Sequence, residues 1–407
     1  MRRGIRFSSG LRFLALFALL PSCIALAEGP FPDAPHLLDT KFVPLPIFAT
    51  EPTEGNTYGL MPVIMKVRHD TGATQAIYAP SLTWNAVIHM TGTFRYYYYP
   101  SDTQTLMLIP SVSTSVNWGL YALWLNLPRE QGRWTDEDLL RVSRNVFFRF
   151  FGLGPDSQAG AQSSYTREWA WLSLRRGLNL GSDLNLAVKL DYRRDIVQEF
   201  TVPNLPASPA VFAGTPGMGG ASAIGEEVEL RYDTRMQGDY SERGFLARGA
   251  VGPYQGLAQS PDFGKFEFET KGLFEELPRL QGGARAYWMR VTSPGAPFYY
   301  QASLGGKYLM RGFTDDRFID QNAWEAEFEQ RIRLFQTRIY GVTTDWRIDP
   351  FVAVGQVYGN YGSIFENPRL SAGMGFRAWV RPNVLGRVDV ADGGEGLSTY
   401  VEIGYPY

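Results

Sequence analysis

The sequence has few of the residues that metal centres and most enzymes use. Among 407 residues there is one cysteine, Cys23, and there are three histidines, His36, His69 and His89. A single thiol excludes a disulfide framework and any multi-cysteine metal site. Three scattered histidines offer no metal-ligand spacing either. No G-x-S-x-G elbow, H-E-x-x-H pair or G-x-x-x-x-G-K-[ST] phosphate loop occurs. There is no basic excess: 39 Lys and Arg stand against 41 Asp and Glu, so nucleic acid finds no electrostatic footprint. The mean hydropathy of −0.19 is too polar for a bundle of membrane helices, which needs repeated apolar stretches of about 20 residues. Charged residues at 20% are nonetheless scarce and aromatics at 14% plentiful, which argues against disorder.

The N-terminus reads as an export signal over residues 1–27. Arg2, Arg3 and Arg6 give a positive start, an apolar run follows from Leu11 to Leu20, and Ala25-Leu26-Ala27 supplies the small-x-small cleavage pattern. Leu20-Pro21-Ser22-Cys23 is a rival lipoprotein motif, which Pro21 fits badly. Cleavage after Ala27 removes four arginines and no acid, taking the net charge from −2 to −6. Residues 28–41 are expected to form a short periplasmic segment.

From there to the C-terminus the chain alternates with period two. Leu184, Leu186, Val188 and Leu190 interleave with Asn185, Ala187, Lys189 and Asp191. Trp324, Ala326 and Phe328 interleave with Glu325, Glu327 and Glu329, and Val401, Ile403, Tyr405 and Tyr407 close the chain in the same way. Each such segment has one apolar and one polar face. A soluble sandwich also alternates, but these segments often reach ten residues and carry aromatics near their ends, as a membrane barrel's interfacial girdles require. The uncharged run 103–128 contains Pro110, Gly119 and many Ser and Thr, which favours strands over a membrane helix. The expectation is all-β: a transmembrane antiparallel barrel of outer-membrane type over residues 42–407, with about sixteen strands. The run 92–115 is counted as one segment, and long outer connections are expected near 128–163, 197–222 and 293–321. Closure removes the unpaired backbone edge that lipid cannot solvate.

Several pieces, in order, resemble the bacterial surface antigen family, the superfamily of BamA and TamA. Leu309-Met310-Arg311-Gly312-Phe313 resembles its (V/L)RG(F/Y) loop. Phe150-Phe151-Gly152-Leu153-Gly154-Pro155-Asp156 is similar to its FYGxGxD element, and Tyr232-Asp233-Thr234-Arg235 with Glu242-Arg243-Gly244-Phe245 to its YDTR…PxxG hairpin. Phe351 to Val357 is similar to FxDxGxV, and Gly404-Tyr405-Pro406-Tyr407 to the usual GYPF ending.

The resemblance implies that the loop 293–321 folds back into the lumen and that Arg311, with Gly312 and Phe313, forms its motif. It implies that Arg311 meets carboxylates on the next two strands. Glu329 matches the first partner and lies on the charged face by parity. The second aligns with Ala353, and Asp349, on the same face, is the substitute. Val401, Ile403, Tyr405 and Tyr407 stand where the family's C-terminal assembly signal lies. The family's usual POTRA modules have no counterpart, so a short member is expected.

Its expected role is non-enzymatic and needs neither cofactor nor metal. It is outer-membrane biogenesis: inserting or translocating protein, or lipid. The alternative is a passive or selective pore. Expected partners are outer-membrane lipid, unfolded outer-membrane or secreted proteins, and a separate periplasmic protein. A weak seam is expected between the first strand, with Pro44 and Pro46, and the last, with Pro406, because proline cannot donate to a ladder. His89, near the outer end of an early strand, is the best position for a rim hydrolase, and a polar girdle histidine explains it more simply.

Overall fold

The computed structural model describes residues 38–403 except 71, 129–131, 237–240, 259, 340–341 and 381–383. The expected signal peptide, Cys23, His36, Tyr405 and Tyr407 lie outside the described residues. The described residues begin as strand at Leu38, so residues 38–41 belong to the sheet and not to a preceding segment. The barrel strands of the first half are β1 (Leu38–Glu51), β2 (Gly55–Arg68), β3 (Thr74–Asn85), β4 (His89–Ser101), β5 (Gln104–Ser113), β6 (Trp118–Asn126), β7 (Trp134–Phe150), β8 (Ser163–Asn179) and β9 (Leu184–Gln198). Then come β10 (Ala221–Asp233), β11 (Gly244–Leu257), β12 (Phe263–Leu277) and β13 (Leu280–Val291). A long connection holds the short hairpin β14 (Ala302–Leu304) and β15 (Phe318–Asp320). It leads into β16 (Asn322–Ile339), β17 (Val342–Tyr358), β18 (Arg369–Val380), β19 (Val384–Asp392) and β20 (Leu397–Ile403).

Eighteen strands therefore form the main sheet, each antiparallel to its neighbours in sequence, with β13 pairing directly to β16. Eighteen replaces the sixteen expected, for two local reasons. The run 92–115 splits at a tight turn, where Ser101 pairs with Gln104 across Asp102 and Thr103. The strand β7 falls inside the expected connection 128–163, which shrinks to 151–162. Its alternation is broken by a bulge between Asn145 and Phe148, where the side chain of Asn145 accepts from the Phe147 amide at 2.7 Å. One extra residue in a bulge shifts the inward-outward pattern, so period-two counting fails there.

The long connections 151–162, 199–220 and 292–321 all leave from one end of the barrel, and tight turns such as 102–103, 180–183 and 278–279 from the other. Outward side chains are apolar and open: Leu82, Phe94, Leu172, Phe268, Phe328 and Phe376 are each 38–56% exposed. Among the described residues no helix is long and apolar enough to cross a membrane, and strands do the crossing. Inward side chains on β16 are the reverse: Glu325, Glu327, Glu329 and Arg331 are 0–3% exposed. The strands β1 and β20 run beside each other with Cα atoms within 8 Å, but no ladder joins them among the described residues.

Candidate functional site

The connection 292–321 is bent inward by a string of unusual backbone angles. Gly305, Gly306 and Gly312 have φ near +110°, and Met310, at φ +50°, is a fully buried non-glycine in the left-handed region. Such a conformation costs about 1–3 kcal/mol unless the surroundings hold it. Here the Met310 amide donates to Glu325 Oε1 at 2.9 Å, and its side chain packs among Leu304, Phe313, Phe318, Ala353 and Val357. Gly312 lies so close to β19 that a Cβ there would sit 2.9 Å from the Asp392 carbonyl carbon.

These contacts place Arg311 against the inner wall with no exposure. Its Nη2 donates to Glu327 Oε1 at 2.5 Å and to Glu329 Oε2 at 3.0 Å, and its Nη1 to Asp389 Oδ2 at 3.2 Å. The guanidinium carbon lies 3.5 Å above the Phe351 ring centre. Around this centre the wall supplies further cations. Arg331 meets Glu329 at 2.9 Å, and Arg387 meets Asp389 at 3.3 Å. Arg377 meets Asp389 at 2.6 Å, Asp349 at 2.9 Å and Glu329 at 3.4 Å. Arg285 meets Glu325 at 2.9 Å and donates to the Tyr308 carbonyl at 2.5 Å. Five guanidiniums thus face five carboxylates, which is what a desolvated charge cluster needs to be tolerable.

Of the residues singled out from sequence, Arg311 and Glu329 come together, and Gly312 and Phe313 are in the same contact. Asp349 does not reach Arg311: its partner is Arg377. The second and third acids are Glu327, adjacent on the same strand face, and Asp389, from β19. The charged alternation Arg387-Val388-Asp389 signals an inward acid, but nothing local says that β19 lies opposite the loop. Ala353, where the family pattern has its acid, packs in the apolar cluster under Met310.

Two further anchors fasten the loop. Arg317 meets Glu395 at 2.7 Å, donates to Ser157 Oγ and carbonyl at 2.9 and 2.8 Å, and stacks on Phe151 at 4.6 Å. The Phe150–Asp156 element therefore folds onto the loop, with the Gly154 amide donating to the Ile319 carbonyl at 2.8 Å. On the opposite wall, Phe298 packs against Phe150 and Tyr165, while Tyr299 and Tyr300 lie under Arg167 and Arg193 at 4.5 and 4.9 Å. Burial pushes both phenols above their usual range, so they stay neutral. Anchored at both walls, the loop spans the lumen.

The last strand also holds the loop. Tyr400 Oη donates to the Phe313 carbonyl at 2.6 Å and Ser398 Oγ to the Gly312 carbonyl at 3.3 Å. Val401 pairs with Val388, and Ile403 with Gly386. His69 sits in an exposed turn, 3.1 Å from Asp39. His89 opens β4 at the long-connection end, exposed and with φ +59°. Among the described residues no group of three or more His, Cys, Asp or Glu is placed to hold a metal ion.

The sequence matches the Omp85 superfamily domain over residues 111–391. The chain belongs to the Omp85 superfamily. That span runs from β5 through β19 and includes the loop and the three acidic partners of Arg311. Solved structures are similar to this chain at low identity. CdiB from Escherichia coli is 13% identical with a TM-score of 0.51, over 92% of this chain and 63% of that one. BamA from Haemophilus ducreyi lacking POTRA domains 1–3 is 12% identical with a TM-score of 0.48, over 90% and 69%. CdiB from Acinetobacter baumannii is 11% identical with a TM-score of 0.45, over 90% and 65%. The chain spans 63–69% of the length of these proteins. No curated protein matches. This is an Omp85 β-barrel of the outer membrane.

Proposed function

We propose that this Omp85 barrel inserts or translocates polypeptide at the outer membrane without enzymatic chemistry. The observation that carries the reading is the position of the Arg311 loop. It is fastened to β16 and β19 through three carboxylates and to β20 through Tyr400 and Ser398. The strand β20 is also one side of the only strand neighbour pair without a ladder among the described residues. The loop acts as a strut: it keeps β16–β20 a rigid wall while β1 moves away from β20. A polypeptide edge then pairs with an exposed strand edge, as in strand addition. The local membrane lipid and an unfolded outer-membrane or secreted chain are its partners, delivered by a separate periplasmic protein.

A passive pore needs only a polar lumen, and a loop anchored to both walls works against free conduction. The test follows the folding rate of a small unfolded outer-membrane barrel added to liposomes that hold this protein. Acceleration over empty liposomes, weakened by Arg311→Ala, is the expected result. No acceleration, with steady ion leak through wild type and variant alike, overturns the reading in favour of the pore.

A further inference from the structure

The inner wall is not uniform. From β8 to β12 and from β16 to β19 it is lined by ion pairs, such as Lys189–Glu227 at 2.8 Å and Arg175–Glu229 at 2.8 Å. From β2 to β7 the inward positions are nearly uncharged: Ser and Thr such as Thr83, Thr93, Ser111 and Ser143 flank an apolar band. One continuous cross-strand register carries Met65, Ile77, Tyr97, Met107, Leu123 and Leu139. The next register along the barrel includes Ala79 opposite Arg95, and then Ile109, Tyr121 and Arg141 in sequence. That register continues through Trp171 to Arg193, which touches Tyr300 of the lumen loop, so this face points into the lumen. The opposite face carries Leu82, Phe94, Leu108 and Leu120, which look outward. The lumen loop is fastened to the charged walls, and the six apolar residues stay half-buried.

Two cations stand in this apolar arc. Arg95 donates to Ser81 Oγ at 2.8 Å, and Arg141 lies 4.8 Å from the Trp169 ring centre. Neither has a carboxylate partner among the described residues, in contrast to the arginines around Arg311. An apolar band in a lumen otherwise lined by ion pairs suits an apolar occupant, and a guanidinium without a carboxylate beside it favours an anion.

We infer that the β2–β7 arc of the lumen binds an anionic acyl lipid. Each guanidinium takes its own headgroup, since Arg95 turns to Ser81 on β3 and Arg141 to Trp169 on β8, and the hydrocarbon chain lies along the Met65–Leu139 register. That register crosses five strand spacings, about 24 Å along the wall, against the roughly 15 Å that one leaflet of hydrocarbon fills. A polypeptide fits the arc less well. Every backbone group of a buried extended chain needs a partner, and the interior strands of this arc already spend theirs on each other. An acyl chain needs none. The arc also reaches the unladdered edge, where Val43 and Leu45 of β1 pair with Val63 and Met61, so lipid has a lateral entry. This inference is independent of the insertase reading: a barrel that never accelerates folding can still hold lipid here.

The test reconstitutes the full chain in vesicles doped with phosphatidylglycerol or phosphatidylcholine carrying a photoactivatable diazirine in the acyl chain. Labelled residues are located by fragment-ion mass spectrometry. Phosphatidylglycerol is expected to label Met107 and Leu123 as well as outward Leu108 and Leu120, and phosphatidylcholine only the outward pair. Arg95→Gln with Arg141→Gln should cut the lumen labelling by about tenfold, the scale of one lost charge-assisted hydrogen bond. Unchanged outward labelling in the same sample reports a folded, inserted barrel. The inference is overturned if phosphatidylglycerol labels only outward residues, if both lipids label the lumen alike, or if the double variant labels as the wild type does. Loss of lumen labelling on adding an unfolded polypeptide would assign the arc to protein and overturn it too.

Discussion

Arg311→Ala is the perturbation whose size the structure allows to be worked out. The substitution removes one cation from three carboxylates, but these are not equally stranded. Glu329 keeps Arg331 at 2.9 Å, and Asp389 keeps Arg377 at 2.6 Å. Among the described residues Glu327 keeps only Arg285, at 3.8 Å. Breaking a buried pair by removing one partner costs about 3–5 kcal/mol. With two of three acids still paired, the lower end, about 3 kcal/mol, is expected. At about 1.4 kcal/mol per tenfold, the undocked loop population rises roughly a hundredfold.

Leu304→Cys reads this population directly. Leu304, in the hairpin of this same connection, is buried at 1% exposure, and the chain's only cysteine, Cys23, falls in the expected signal peptide. Local opening limits alkylation of a buried thiol, so its rate tracks the opened fraction. The Arg311→Ala background should label about a hundredfold faster. Adding Glu327→Gln, which removes the stranded charge, should recover part of the loss. Equal labelling rates with and without Arg311 would refute the argument that these ion pairs hold the loop.

Gly312→Ala should open the loop at least as far as Arg311→Ala, because φ +111° and the Asp392 backbone leave no room for a Cβ; the same labelling assay reads it. Tyr400→Phe removes one hydrogen bond to the loop, about 1 kcal/mol, and should speed labelling roughly fivefold while the barrel keeps its heat-resistant mobility on gels. Asp349→Asn should leave the labelling rate within about twofold of wild type, since Asp349 serves Arg377 and not Arg311. Arg317→Ala should expose the 151–158 and 393–396 connections to protease, because that guanidinium joins Glu395 to Ser157; an unchanged digestion pattern would count against it.

The parts of this fold that were legible in the sequence are those in which one strand explains itself. The run Glu325, Glu327, Glu329 alternates with Trp324, Ala326 and Phe328, and its inward, charged face is visible without any neighbour. The strand β7 was hidden because its bulge at Asn145 puts Val146, Phe147 and Phe148 in a row and erases the alternation. The hairpin between β4 and β5 was hidden because Asp102 and Thr103 are too few to register as a break. The loop motif pointed to Arg311 and to an acid on the next strand. The remaining partners depend on which strands the barrel brings opposite the loop. Asp389 lies 78 residues from Arg311 in sequence, and no local pattern encodes that approach. The uneven lumen wall was equally hidden, since an apolar inward face and an apolar outward face look alike in a sequence such as 103–128.

Insertion by strand addition requires the wall held by the loop to stay fixed while the edge between β1 and β20 opens. The most direct measurement introduces cysteine pairs along that edge and compares substrate folding rates in liposomes for oxidised and reduced barrels. The oxidised, cross-linked barrel should lose its acceleration and regain it on reduction. A cross-linked barrel that accelerates folding as well as the reduced one would contradict this requirement.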